Sequence, residues 1–540
     1  MDDFDVVLRG GTVVDGSGRA PWVGDVAMRG DRIAAMAPRL DGSGTREVDV
    51  RGLAVAPGFI NMLSWAVESL IEDGRSMSDM LQGVTLEVMG EGTSMGPLNA
   101  HMKAQLESSG LSGDPDGYRY PVEWTGLCEY LQWLESRGVS TNVASFVGAG
   151  TLRVHELGYS DRPATDPEIQ RMCDLLDAEM QDGALGLASA LIYPPQTAFS
   201  TGELAAMCEV VARHGGLYAS HLRSEGPALD DAVDELVEIA RRTGVRAEIY
   251  HLKASGRRNW PQLESAIATV EAARTAGLQV TADMYPYDFA CTSLTACFPP
   301  WAQEGGVEQL HGRLRDPATR HRVRQAMADP GWENLFLITG PENIRVSGAL
   351  APSLAACSGR SLQEIAAAWA TSAEEAAIDL VLENGGDVFA LYFGMSEDDV
   401  RRVVALPWVS FCSDAESLAA EGRALGFDVH PRTYGAFARV LGRYVRDEGL
   451  VSLQEAVRRM TSLPADNLRL EDRGRLRVGF HADVVAFDPT RVTDHATPSQ
   501  PHAYASGAHH VWVNGAPVVT GGVHTGSMPG RFVRGPGARH

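Results

Sequence analysis

Residues Tyr218 to Lys253, YASHLRSEGPALDDAVDELVEIARRTGVRAEIYHLK, carry the pattern from which the architecture of this chain is predicted. It contains two short apolar runs, which end in His221 and His251, and each histidine is followed two positions later by a basic residue. Between the two runs, Leu229 to Arg242 carries apolar residues at helical spacing, with acids early and arginines late, as the helix dipole favours. The pattern predicts a strand, a helix and a second strand that is parallel to the first.

The two histidines are therefore expected at the same end of one parallel sheet. This carboxyl end is where α/β barrels carry their chemistry. A single histidine at a strand end is more often an ordinary hydrogen-bonded residue. The same His-Leu-basic pattern on consecutive units favours the alternative, in which His221 and His251 hold one metal ion.

Strand-like runs followed by helical patterns continue from residue 54 to residue 468. The eight candidate strands are Ala54–Ile60, Thr85–Met89, Asn142–Val147, Leu185–Ser189, Leu217–His221, Arg246–His251, Gln279–Tyr285 and Val409–Ser413. This number and spacing fit a (β/α)8 barrel better than a doubly wound sheet. A further strand-like run, Phe389–Phe393, leaves the numbering of the last units open.

Short β-strand patterns dominate both ends of the chain. Residues 1–56 alternate strand-like pieces with turns, and residues 469–525 do the same, with a hairpin signal at Asn514-Gly515. We predict an α/β protein in which both termini build one β-sandwich domain that brackets a TIM-like (β/α)8 barrel over residues 57–468.

Two segments interrupt this plan. Residues 293–348 break the strand-helix rhythm with aromatic, proline and basic residues, and we predict that they form a lid-like insertion within the barrel. Residues 526–540 are rich in glycine, arginine and proline, and we predict a disordered tail.

The composition of the 540 residues narrows the class of partner. A formal net charge of −23 argues against nucleic acids and anionic membranes. No apolar run reaches the ~18 residues of a membrane span, and the acidic N-terminal residues lead us to expect no secretory signal. The seven cysteines are scattered and include no CxxC pair. We expect a cytoplasmic protein that acts on a small molecule, and self-association into a homo-oligomer is left open.

Further motifs are shared with a known family. They are Val55-Ala-Pro-Gly-Phe-Ile60, Gln82-Gly-Val-Thr85, Thr151-Leu-Arg153, Tyr218-Ala-Ser-His-Leu-Arg-Ser-Glu225, His251-Leu-Lys253, Tyr285-Pro-Tyr287, Ser413-Asp414, His430-Pro-Arg432, Met460-Thr-Ser-Leu-Pro464 and Ala482-Asp483. With the barrel pattern they make the chain similar to the amidohydrolase superfamily, and more narrowly to its N-acyl-D-amino-acid deacylase (D-aminoacylase) branch. The resemblance covers nearly the whole chain and is specific for the fold, but much less specific for the substrate.

Two departures from the family pattern concern metal ligands. Family members carry a His-x-His pair after the first strand, whereas this chain has Leu63 and Trp65 at those positions. The metal position that the histidine pair normally builds is therefore absent or badly impaired. After the second strand, Glu91 stands between two glycines where D-aminoacylases carry a cysteine ligand. A carboxylate is a competent zinc ligand, although Glu91 could also be a solvated acid.

The resemblance implies a catalytic zinc site. Glu91, His221 and His251 would hold about one Zn2+ per chain and leave one position open. In the family, the aspartate that matches Asp414 takes a proton from the attacking water and passes it to the leaving nitrogen. The alternative for Asp414 is an ordinary helix N-cap, because it precedes Ala-Glu-Ser-Leu.

The predicted substrate contacts lie at the same end of the barrel. They are Lys253 and Tyr285, which match carboxylate contacts of D-aminoacylases, Ser293, which is close to a third, Arg223 as a charge, Tyr193 at the border, and Trp65 as an apolar wall. Arg223 could instead cap the sheet, and Tyr193 could only anchor a loop. The arginine that assists these contacts in the family has no clear counterpart.

These observations predict a zinc-dependent hydrolase that cleaves a non-peptide amide C–N bond, such as that of an N-acyl-D-amino acid. A second enzymatic hypothesis is a hydrolase of cyclic amides, or a biosynthetic relative with an unusual substrate. A non-enzymatic hypothesis is a barrel that only binds a ligand.

Overall fold

The computed structural model describes residues 3–109, 119–348, 350–385, 387–426 and 428–539. The strands are β1 (Phe4–Val13), β2 (Trp22–Arg29), β3 (Arg32–Ala37), β4 (Gly44–Asp49), β5 (Ala54–Pro57), β6 (Phe59–Asn61), β7 (Val84–Met89), β8 (Asn142–Ser145), β9 (Val147–Gly148), β10 (Gly186–Ala190), β11 (Leu217–His221), β12 (Arg246–Ile249), β13 (Val280–Ala282), β14 (Ala290–Ser293), β15 (Ile344–Ser347), β16 (Phe389–Tyr392), β17 (Val484–Phe487), β18 (Ala508–Val513), β19 (Ala516–Thr520) and β20 (Val523–His524).

The α-helices are α1 (Ser69–Glu72), α2 (Met77–Met80), α3 (Ala100–Ser109), α4 (Leu127–Arg137), α5 (Ala149–Leu157), α6 (Asp166–Asp182), α7 (Thr201–Arg213), α8 (Leu229–Thr243), α9 (Gln262–Thr275), α10 (Pro300–Gln303), α11 (Val307–Arg315), α12 (Pro317–Ala326), α13 (Leu335–Thr339), α14 (Leu362–Trp369), α15 (Ala373–Asn384), α16 (Glu397–Val404), α17 (Arg432–Arg439), α18 (Leu453–Met460) and α19 (Ser462–Leu468). A π-helical stretch, Val440–Asp447, continues α17. In the described part of the chain, no helix has the length and apolar character to cross a membrane.

The predicted (β/α)8 barrel is confirmed. Strands β6 to β8 form one parallel ladder and β9 to β13 form another. The third barrel strand joins the two, because β8 pairs with β7 while its continuation, β9, pairs with β10. An isolated parallel bridge from Ala282 to Val409 adds the eighth strand.

Side-chain hydrogen bonds close the barrel between its first and last strands. Asn61 at the end of β6 donates to Ser413 Oγ over 2.8 Å, and its side-chain oxygen accepts the Ser413 backbone N–H over 2.8 Å. The same amide donates to Glu87 on β7 over 2.9 Å. One buried asparagine therefore fixes the register of three neighbouring strands.

The residues of helix α8 are buried and exposed as the sequence pattern predicts for a barrel helix. Its apolar residues, among them Ala232, Leu236 and Ile239, are buried, whereas the acids begin and the arginines end the helix. Strand β11, which precedes α8, is buried along its whole length. Parallel strands that are covered on both faces require such continuous apolar or small-residue runs.

The two termini build one nine-stranded sheet, with the path β20-β19-β18-β17-β5-β1-β2-β3 and β4 paired with β1. Residues from both ends, such as Leu8, Val26, Val484 and Trp512, share one apolar core. The first candidate strand, Ala54–Ile60, is in fact divided. Its first half is β5 of this terminal sheet and its second half is β6 of the barrel.

The insertion is longer than predicted. Strands β14, β16 and β15 form a separate antiparallel sheet, and its apolar core includes residues from Leu294 to Tyr392. The predicted limits of 293–348 are therefore wrong at the carboxyl end. The strand-like run Phe389–Phe393 contains the central strand of this sheet rather than a barrel strand. Buried strands of either sheet have the same apolar pattern, so only pairing distinguishes them.

The prediction of a disordered tail is also wrong for residues 526–539, which pack along the barrel. Phe532 forms a parallel bridge with Val143 of β8, and its backbone N–H donates to Glu135 over 2.8 Å. Phe532 and Val533 are buried in the main apolar core. The composition of the tail is typical of disorder, but two apolar residues and a free strand edge suffice to dock it.

This docking predicts a measurable contribution to stability. We expect Phe532→Ala to lower the free energy of unfolding by about 3 kcal/mol, the low end for a buried phenylalanine. The control is Met528→Ala in the same tail, where the side chain is exposed and the change should stay within about 0.5 kcal/mol. Urea unfolding of both variants measures the difference, and equal stabilities would contradict the docked tail.

Candidate active site

Glu91 reaches the barrel mouth because its two neighbours are glycines. Gly90 has a φ of +109° and Gly92 a φ of +65°, a backbone region that L-residues rarely adopt. A Cβ atom at Gly90 would collide with the carbonyl oxygen of Phe146, and one at Gly92 would collide with Ala190. This tight turn after β7 directs Glu91 inward, where the residue is 5% exposed. The alternative of a solvated acid is thereby excluded.

His221 and His251 end neighbouring strands, as the sequence predicts. His221 is the last residue of β11, and His251 follows β12 with a φ of +37°. The backbone N–H of His251 donates to Asp283 over 2.6 Å, which holds this unusual conformation. Both imidazoles are buried and their ring centroids are 4.5 Å apart.

One atom from each of Glu91, His221 and His251 converges on a common point. Glu91 Oε1 lies 3.3 Å from His221 Nδ1 and 3.1 Å from His251 Nε2, and the two nitrogens are 2.8 Å apart. Tetrahedral zinc with bonds of ~2.0–2.1 Å places its ligand atoms ~3.3 Å apart. Within the described residues, this is the cluster of His, Cys, Asp and Glu side chains that fits a metal ion.

A second carboxylate, Glu225, lies behind both imidazoles. Its Oε1 is 3.0 Å from His251 Nδ1 and 3.7 Å from His221 Nε2, the ring nitrogens that face away from Glu91. Lys253 donates to the same oxygen. Burial opposes ionisation, but Lys253 and the two histidines hold the pKa of Glu225 below its ordinary value. Such an outer carboxylate orients ligand imidazoles and increases their basicity.

Asp414 stands opposite the histidines, in a left-handed backbone conformation with a φ of +50°. Its backbone N–H donates to the carbonyl of Leu63 over 2.9 Å. The described residues that follow Asp414 are irregular up to residue 421, so the alternative role of a helix N-cap is excluded. Burial raises the pKa of Asp414, although the guanidinium of Arg432, 2.6 Å from Oδ2, favours its charged form.

Trp65 differs from the purely apolar wall that the sequence predicts. Its indole Nε1–H donates to Glu91 Oε2 over 3.0 Å and to Asp414 Oδ1 over 3.1 Å. The residue is 37% exposed, so part of its ring faces the open mouth of the barrel. Leu63, at the other departure from the family pattern, is fully buried and offers no polar side-chain atom.

Arg432 is the functional candidate that sequence reasoning missed. It is buried at the start of α17, with its guanidinium 4.5 Å from the centre of the Tyr285 ring. The ammonium of Lys253 lies on the same ring at 5.5 Å, so Tyr285 separates two cations. The signal was present in the motif His430-Pro-Arg432. His430 is neutral, because burial and the adjacent Arg432 hold its pKa well below the ordinary value.

Tyr193 borders the site, and the structure also shows what anchors it. Its ring lies 5.3 Å from that of His221, and its hydroxyl shares a 2.8 Å hydrogen bond with Thr292. Thr292 belongs to β14 of the insertion. Successive side chains of a strand point to opposite faces, so Ser293 is directed away, and its hydroxyl caps Thr295. The structure thus places the hydroxyl of Thr292, rather than that of Ser293, beside Tyr193.

The structure also corrects the predicted role of Arg223 as a charge in the site. Its guanidinium pairs with Glu235 of α8 over 2.8 Å and donates to the carbonyl oxygens of Thr197 and Phe199. These contacts engage the guanidinium of Arg223 on the outer side of β11. A residue two positions after His221 follows the end of the strand, where alternation no longer predicts the direction of a side chain.

Comparison with known proteins agrees with this geometry. The sequence profile described as the amidohydrolase family matches residues 423–519. A D-aminoacylase of Alcaligenes xylosoxydans xylosoxydans is 35% identical over 98% of this chain and 97% of its own length. An N-acyl-D-glutamate deacylase of the same organism is 33% identical over 99% of this chain and 97% of its own length.

Solved structures give the same result. The N-acyl-D-glutamate deacylase of Bordetella bronchiseptica, in complex with zinc and a phosphonate mimic of the tetrahedral intermediate, superposes with a TM-score of 0.81. It is 29% identical, over 98% of this chain and 99% of that chain. A D-aminoacylase, described as defining a novel subset of amidohydrolases, has a TM-score of 0.81 and 32% identity over 98% of this chain and 100% of its own. The chain therefore belongs to the amidohydrolase family, in the branch of the N-acyl-D-amino-acid deacylases.

Proposed function

We propose that this protein is a zinc-dependent deacylase that hydrolyses the amide bond of an N-acyl-D-amino acid or a related acyl-amine. The observation that carries the proposal is the convergence of Glu91, His221 and His251 on one point, with Asp414 on the facing side of the barrel mouth. The relatives named above supply the class of substrate.

One zinc ion per chain is proposed for this point. When bound, zinc polarises a carbonyl oxygen and lowers the pKa of water. Glu91 contributes one oxygen to the site and turns the other towards Trp65. Glu225 accepts from the far side of His251, so that the facing ring nitrogen is left free for the metal.

Asp414 is the proposed general base and acid. Its Oδ1 faces the barrel mouth beside Trp65, and its Oδ2 is fixed by Arg432. A carboxylate in this position can take the proton of the attacking water and return it to the leaving nitrogen. Burial raises the pKa of Asp414, and the adjacent guanidinium of Arg432 opposes this rise. A carboxyl group with these opposed influences suits both the uptake and the release of the proton.

Arg432 is the proposed contact of the substrate carboxylate. It is buried, and its Nη1 pairs with Asp414 Oδ2 over 2.6 Å, whereas its Nε donates no hydrogen bond to any described residue. An unused donor of a buried guanidinium is costly, and a substrate carboxylate can accept it in a charge-assisted hydrogen bond. This supports a substrate with a free carboxylate over a cyclic amide, the alternative enzymatic hypothesis. Lys253, which is already engaged by Glu225, and Tyr285 would complete this end of the pocket.

The ligand-binding hypothesis, without catalysis, is less well supported. It gives no reason for Asp414 to be held in a left-handed backbone conformation next to the metal-binding cluster. Strained backbone of this kind persists where the surrounding structure enforces it, and it concentrates at active sites.

Metal analysis tests the site. We expect one equivalent of zinc after exhaustive dialysis, and we expect Glu225→Gln to weaken zinc binding about 10- to 100-fold, because the ligand imidazoles lose their outer partner. Glu235→Gln, which removes the carboxylate that pairs with Arg223 outside the site, is the matched control and should bind zinc normally. Competition with a chromogenic chelator measures both affinities. If Glu225→Gln and Glu235→Gln bind zinc with equal affinity, Glu225 does not support the metal ligands.

Turnover tests the proton-transfer role. Asp414→Asn should keep the fold and the zinc but lose about 10²–10⁴ in kcat, the usual share of general acid–base catalysis. The control is Asp398→Asn on α16, where the side chain is exposed and no effect is expected. Near-normal turnover of Asp414→Asn, measured with a panel of N-acyl-D-amino acids, would refute the role of Asp414.

The role of Arg432 is tested with paired substrates. Arg432→Met should lower kcat/KM for an N-acyl-D-amino acid by about 10- to 100-fold more than for the matching amino-acid amide, which lacks the charge. The ratio is the informative quantity, because the variant also removes the partner of Asp414 and lowers both rates. A parallel loss with both substrates would show that Arg432 serves Asp414 alone.

A further inference from the structure

A single N–H group stands between two buried carboxylates at the barrel mouth. The indole nitrogen of Trp65 lies 3.0 Å from Glu91 Oε2 and 3.1 Å from Asp414 Oδ1. The other oxygen of Glu91 faces the histidines, and the other oxygen of Asp414 faces Arg432. The two inner oxygens therefore accept hydrogen bonds from the same indole N–H.

A hydrogen-bond donor between two such carboxylates reduces the repulsion between them. Each is buried, and like charges that share a site oppose each other's ionisation. Oxygen atoms that converge in this way are what a second cation would use as ligands. An indole N–H offers a partial positive charge and a directed hydrogen bond, but no affinity for metals.

We propose that Trp65 is a positioning residue whose indole N–H takes the place of a second cation between Glu91 and Asp414. The inference rests on the proposed function, in which Glu91 is a metal ligand and Asp414 the general base. By holding both carboxylates, the indole directs one oxygen of each to its task. By filling the space where their other oxygens meet, it restricts the site to a single ion.

The backbone supports this role. The Trp65 N–H donates to the carbonyl of Ala415 over 2.9 Å, and the Asp414 N–H donates to the carbonyl of Leu63 over 2.9 Å. These two bonds tie the segment after the first barrel strand to the segment after the eighth. The register between the indole and Asp414 is thus fixed before any ligand binds. An exposed fraction of 37% shows that Trp65 is no ordinary core residue.

Two variants separate the hydrogen bond from the occupied space. Trp65→Phe keeps an aromatic ring but removes the N–H, so we expect one zinc ion, a kcat lowered roughly 10- to 100-fold and a KM changed less than about threefold. Trp65→Ala removes the ring as well, and we expect a second, weaker zinc site to open between the two carboxylates. Trp369→Phe on α14, whose tryptophan is equally exposed but lies in the insertion, should match the wild type.

Zinc content at increasing free zinc, measured by equilibrium dialysis with elemental analysis, is the first readout, and thermal unfolding confirms that each variant folds. The proposal is overturned if Trp65→Ala takes up only one ion, if the wild type holds two, or if Trp65→Phe keeps full kcat. A wild type that binds one zinc but hydrolyses no acyl-amine would refute the proposed function instead. The zinc content of Trp65→Ala would still test whether the indole excludes a second ion.

Discussion

The arrangement at the barrel mouth depends on the balance of buried charge. Glu91, Glu225 and Asp414 are all buried, and a buried carboxylate is costly unless a charge or hydrogen bonds match it. Each has a distinct partner: Lys253 for Glu225, Arg432 for Asp414, and the pair of histidines for Glu91. The positions of the catalytic candidates follow from this matching, because no carboxylate can move without losing its partner.

The same end of the barrel concentrates unusual backbone conformations. Gly90 and Gly92 flank Glu91 at positive φ, and His251 and Asp414, which are not glycines, are also left-handed. The two residues that are not glycines cost of order 1–3 kcal/mol each in this conformation, which persists where the surrounding structure enforces it. Each of them immediately follows, or closely follows, a barrel strand. The regular strands position the site, and the strained residues after them direct the side chains inward.

The insertion contributes to this site as well as adding mass to the barrel. Thr292 anchors the Tyr193 hydroxyl, and Glu333 accepts from the Ser224 hydroxyl and from the backbone N–H of Glu225. Burial raises the pKa of Glu333 to about 7, next to the carboxylate that supports the two histidines. Residues of the insertion thus complete the environment of the candidate metal-binding cluster.

Local periodicity in the sequence predicts the barrel and the terminal sheet, and residues at strand ends predict His221 and His251, whereas Glu91 is identified through the family resemblance. The sequence left undecided whether Phe389–Phe393 belongs to the barrel, since every buried strand has the same apolar pattern. It also misjudged the tail, whose composition indicates disorder although Phe532 docks on β8. Only the tertiary structure assigned Arg432 its place beside Asp414, and only it showed that Trp65 donates a hydrogen bond to two carboxylates. A strand pattern predicts the position of a residue in the barrel but not the partners of its side chain. Those partners lie hundreds of residues away in the sequence, and they come close only because the barrel closes.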